Sequence, residues 1–88
     1  MCTYINHQSA IAASGKGGGA WIPLTQLSVG FDHPVSAPLG HAVLVDFLNP
    51  GLDSGARVAL EMDIASATTL MEQLQATIAE AEKTGLAE

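Results

Sequence analysis

Apolar and polar residues alternate along much of the first half of this chain. Between Trp21 and His33, Leu27, Val29, Phe31 and His33 fall on one face, and Gln26, Ser28, Gly30 and Asp32 fall on the other. A period of two predicts a half-buried strand. From His41 to Leu48, one face carries His41, Val43, Val45 and Phe47, and the second carries Ala42, Leu44, Asp46 and Leu48. Both faces are rather apolar, as in an interior strand or a sheet covered on both sides. Arg57 to Asp63 reads as a further strand, with Val58, Leu60 and Met62 inward and Arg57, Ala59 and Glu61 outward. A first strand opens at Cys2-Thr3-Tyr4-Ile5 and ends before the glycine cluster Gly15-Lys16-Gly17-Gly18-Gly19. Turn chemistry in Asn49-Pro50-Gly51-Leu52-Asp53-Ser54-Gly55 separates the last two strands.

From Asp63 the period lengthens. Leu70, Leu74 and Ile78 recur at every fourth position, flanked by Ala67, Met71 and Ala81, while Glu72, Gln73, Gln75, Glu80 and Glu82 lie elsewhere. This spacing predicts a helix of about 20 residues and ~30 Å, capped by Asp63 or Ser66 and stopped at Gly85. The expected class is therefore α+β: a four-stranded antiparallel β-meander with one C-terminal helix packed on one face (ββββα). Eighty-eight residues make a single domain, 1–88.

Strand pairing brings the chemistry together. Centring the first hairpin on Lys16-Gly17 sets Cys2 opposite Phe31, beside His33. Centring the second on Ala37 sets His33 opposite His41. A slip of one residue in either hairpin would move a side chain to the opposite face. Cys2, His33 and His41 then form a candidate metal site with three protein ligands and an open fourth position, the pattern of catalytic rather than structural zinc. Thiolate and imidazole also suit iron, copper and nickel, so the cofactor expected is a divalent transition metal of unspecified identity. The plainer readings are a cysteine that fills apolar space, a turn-capping His33 and an ordinary strand-end His41. His7 is expected on the other face and outside the site.

Composition narrows the alternatives. Nine acidic residues against three basic ones give a formal charge of −6, a sign that repels nucleic acid. One cysteine excludes an internal disulfide and suits a reducing cytoplasm. No apolar run reaches the ~18 residues of a membrane span, and the N-terminus lacks the features of an export signal. Ser14-Gly15-Lys16-Gly17-Gly18-Gly19 lacks the spacing and following helix of a phosphate loop, so it reads first as a hairpin tip. Lys16 with nearby Trp21 could nonetheless close over a small anionic ligand. No catalytic triad or paired-carboxylate spacing is present.

Forty-eight per cent apolar residues is a large share for so small a chain. Leu44, Leu48, Ile5, Ala42 and Ala59 are expected on the face away from the helix, which predicts a homodimer or higher homo-oligomer through that face or through an edge strand.

The words Met1-Cys2-Thr3-Tyr4, Ser14-Gly15-Lys16-Gly17 with Trp21, Phe31-Asp32-His33-Pro34, His41 and Asp46-Phe47-Leu48-Asn49-Pro50 resemble a family of short, mainly actinobacterial proteins grouped as a domain of unknown function. The resemblance covers nearly the whole chain. It implies that Cys2, Lys16, His33, His41 and Asp46 belong to the family pattern. Such proteins often carry Glu-His before the third strand, where this chain has Gly40-His41. The expected function is a small metal-binding protein, a metalloenzyme if the open position is used. The alternative is a non-catalytic dimeric interaction module.

Overall fold

The computed structural model describes residues 5–53 and 55–86. Four strands, β1 (Ile5–Gly17), β2 (Ala20–Asp32), β3 (Ala42–Leu48) and β4 (Arg57–Met62), form one sheet in the order β1-β2-β3-β4. All neighbours are antiparallel, and α1 (Ile64–Thr84) follows β4. The meander and helix predicted from periodicity are both present. Asp63 caps α1, its carboxylate accepting from Ser66 N at 2.7 Å, and Gly85 ends it in the left-handed conformation at φ 73°.

The β2–β3 register matches the expected one: Asp32 pairs with Ala42, so His33 and His41 follow directly beyond the last pair. The β1–β2 register does not. Its turn lies at Gly18-Gly19, with φ of 81° and 123°, rather than at Lys16-Gly17. Both positions require positive φ, which only glycine adopts without strain. A bulge between Ala10 and Ala13 then shifts the pairing once more. Ile5, rather than Cys2, opposes Phe31, and His7 opposes Val29. Each bulge reverses the face on which later residues point, so His7 shares the Val29 face, contrary to expectation. Cys2 lies outside the described residues.

The sheet has two unlike faces. One carries Val29, Phe31, Val43, Val45, Phe47, Val58, Leu60 and Met62 in register. The other carries Gln8, Gln26, Ser28, Asp46, Arg57 and Glu61. Polar cross-strand contacts stitch the second face: Gln26 Nε2 donates to Gln8 Oε1, Ser28 Oγ to Asn6 Oδ1, and Arg57 pairs with Asp46 at 2.7 Å. Leu44, Leu48, Ala42 and Ala59 share this second face, as expected, and only Ile5 departs from it. Ile5 belongs with Phe31 on the apolar face, and Ala42 is only 1% exposed.

A second correction concerns the helix, which was expected to cover the apolar face. No described helix residue is buried, and Met71, Leu74 and Ile78 are each more than half exposed. Asp63 alone separates β4 from α1. Among the described residues only Leu24, Ala42, Val45 and Ala56 are buried hydrophobics. The chain exposes 6541 Å², whereas a compact monomer of 9.0 kDa exposes about 4,900 Å². Its radius of gyration, 14.7 Å, likewise exceeds the ~12 Å expected for this length. The helix stands off the sheet.

Candidate functional site

The site is built where β2 leaves the sheet and β3 enters it. Pairing of Asp32 with Ala42 forces the two flanking residues, His33 and His41, to the same end. Their ring centroids lie 4.4 Å apart, tilted by 36°. His41 also stacks on Phe31, at 5.6 Å and 19°. His41 is thus in ring contact with both an aromatic ring of the apolar face and its partner imidazole.

Hydrogen bonds fix the orientation of His33. Asp32 Oδ1 accepts from His33 N at 2.7 Å, which locks the backbone as it turns out of the strand. His33 Nδ1 lies 3.0 Å from the Gly40 carbonyl oxygen. A carbonyl only accepts, so Nδ1 donates this hydrogen bond. A ring nitrogen donating to a backbone carbonyl while the other faces a metal is the usual outer-shell arrangement of ligating histidines. Two imidazoles on one tetrahedral ion, each ~2.0–2.1 Å from it, would hold their centroids about 5 Å apart.

The loop between the histidines is latched by a residue that periodicity marked only as outward. Glu61, on β4, reaches across to residues 35–37: Oε1 accepts from Ser36 N and Ala37 N, both at 2.9 Å, and Oε2 accepts from Val35 N. These backbone donors, Val35 foremost, then Ala37 and Ser36, hold the Glu61 carboxyl below its ordinary range. Glu61 opposes Leu44 near the loop, whose backbone amides need an acceptor. Beside the latch lies a groove of about 690 Å³, walled by Val35, Ala37, Arg57, Ala59 and Glu61.

The expected ligands fare differently. His33 and His41 come together as the pairing argument required. The third, Cys2, lies outside the described residues, and among those described no third His, Cys, Asp or Glu joins the pair. Lys16 and Trp21 oppose each other beside the Gly18-Gly19 turn, with Trp21 67% exposed. Trp21 and His33 stand at opposite ends of β2, ~40 Å apart at the usual rise per residue. The glycine loop therefore lies at the far end of the sheet from the histidines. Asp46 is engaged with Arg57 on the polar face.

A four-stranded meander with a C-terminal helix and a paired-histidine rim defines a small α+β protein. The chain belongs to the family of unknown function DUF6295, whose model matches residues 1–87. No curated protein and no solved structure matches it. No described helix is long and apolar enough to cross a membrane.

Proposed function

We propose that this protein binds a divalent transition metal through His33 and His41, with Cys2 as the third ligand. One observation carries the reading: two imidazoles 4.4 Å apart, one of them oriented by a carbonyl on its Nδ1. Zinc, iron, copper and nickel all suit such donors. With three protein ligands a fourth position stays open, where the ion would act as a Lewis acid or activate a bound water. A cytoplasmic setting accords with this reading, because a reducing compartment keeps the cysteine available as thiolate. A small anion at Lys16 and Trp21 would bind separately from the metal.

Elemental analysis of untagged protein tests the proposal. Stoichiometric metal is expected in the wild type. Cys2→Ala, His33→Ala and His41→Ala should each lower it, whereas His7→Ala should not. Equal metal content in all four variants would sink the idea. Binding should also weaken in acid, since a protonated imidazole or thiol cannot ligate. The alternative, a non-catalytic dimeric interaction module, is supported by the uncovered apolar surface. A metal-free dimer that persists after chelation would favour it.

A further inference from the structure

The helix carries an unused seam. Ile64, Ala67, Met71, Leu74, Ile78 and Ala81 follow one another at alternating intervals of three and four residues along α1. That is the a/d repeat by which two helices pack side by side, here sustained through nearly three heptads. In the isolated chain the seam has no cover: Ile64 is 64% exposed, Met71 52%, Leu74 53% and Ile78 56%. Such a face asks for another helix, and the question is whose.

We infer that the occupant is the same seam on a second copy of this chain, giving a two-fold homodimer centred on Met71 and Leu74. Three observations favour self-pairing. The surface excess over a compact monomer, roughly 1,700 Å², is about twice the ~800 Å² each partner loses in a standard interface. A repeated a/d stripe is complementary to itself, so one copy supplies both halves of an isologous contact. Charge does not oppose the pairing despite −6 on each chain. The positions flanking the seam are Thr68, Leu70, Gln75, Thr77, Glu82 and Thr84, so only Glu82 among them is charged, and Glu72 and Glu80 fall on the outer side. This helix-borne dimer differs from the sheet-face dimer the sequence suggested, and it does not depend on the histidine pair.

Sedimentation equilibrium of the full chain from 1 to 100 µM, with and without chelator, tests the assignment. The wild type should sediment at twice 9.0 kDa in both conditions. Leu74→Glu places a carboxylate from each copy near the axis. It should weaken the dimer on the order of 100-fold or more, taking about tenfold per 1.4 kcal/mol from each copy. Val35→Glu, at a residue 98% exposed on the 35–37 loop and off the helix, should leave it intact. A wild-type monomer at 100 µM overturns the inference, and so does a Leu74→Glu dimer as tight as the wild type. Should Leu74→Glu fail to fold, the wild type alone decides: its melting temperature must rise with concentration if folding and pairing are linked. A concentration-independent value overturns the proposal.

Discussion

The sheet and the helix are stabilised in opposite ways. The sheet is held by contacts between residues far apart in sequence: Val29 against Val45 against Leu60, Arg57 against Asp46, Glu61 against the loop at 35–37. The described buried hydrophobics, Leu24, Ala42, Val45 and Ala56, all lie in or beside the strands. The helix is held by its own sequence. Asp63 caps one end and Gly85 the other, while Thr68 Oγ1 and Thr69 Oγ1 donate back to the Ile64 and Ala65 carbonyls. Local signals of that kind decide that a helix forms and where it stops. They do not decide what it rests on, and a lone helix is marginal in water without tertiary packing. The strands of the sheet find one another within the chain; the apolar stripe of the helix is left exposed.

Breaking the sheet's side of this contrast should have the largest effect. Leu24 is 3% exposed, and Leu24→Ala removes most of its side chain from a very small core. Such truncations cost ~2–5 kcal/mol, against a total of roughly 4–13 kcal/mol for a domain of this length. Denaturant unfolding followed by circular dichroism should show a marked fall in the midpoint. A shift under about 0.5 kcal/mol would mean that the sheet's core lies elsewhere, since only surface substitutions are so mild.

Gly30→Ala should cost less and act more locally. A Cβ there would stand 2.7 Å from the Ile5 carbonyl oxygen, closer than real contacts permit, and the obstacle is backbone that cannot rotate aside. The β1–β2 pair must separate, at about 1–3 kcal/mol by analogy with overpacked sites. Amide protection should fall along β1 and the facing half of β2, while α1 keeps its own. Equal losses in strand and helix would show that the two regions unfold as one.

How much of this was legible follows the same division. The β2–β3 register was readable because the loop between the strands is bounded by Pro34 and Pro38, and because both strands alternate clearly. That register carried the His33–His41 pair with it. The first hairpin was not readable, because a run of glycines offers several turn centres and the Ala10–Ala13 bulge leaves no mark in an alanine-rich strand. An error of two residues at the turn and one at the bulge was enough to misplace Ile5 and His7. The helix boundaries were legible from Asp63 and Gly85, but its placement was not. An apolar stripe states that a face will be buried and is silent about which surface buries it. Glu61 was overlooked because its role depends on a loop whose path no periodicity describes.

The smallest expected effect compares two carboxylates that lie two residues apart and serve the two regions. Glu61 accepts backbone amides of the 35–37 loop, and Asp63 accepts the Ser66 amide at the start of α1. Both are held below their ordinary ranges, Glu61 first by the Val35 amide and Asp63 first by Ser66. A depressed folded-state value means that the unfolded chain takes up protons first. The stabilisation is therefore complete above the ordinary values of 4.5 and 3.8. It fades as pH falls through the lower folded values. Asp63 is exposed and Glu61 only half-buried, so the global midpoint should barely move above pH 5. Amide resonances are the better readout. On acidification the Val35, Ser36 and Ala37 signals should shift together with Glu61, and Ser66 should shift with Asp63. Glu61→Gln removes the charge and one of the two accepting oxygens, so it should loosen the loop and the His33–His41 spacing at neutral pH while the helix is untouched. Asp63→Asn keeps an effective cap and should abolish only the acid-dependent shift at Ser66. If Glu61→Gln leaves the loop amides where they were, the latch is not what orders the histidine rim. The rim would then draw its order from contacts such as the His33–Gly40 hydrogen bond and the Phe31–His41 stack.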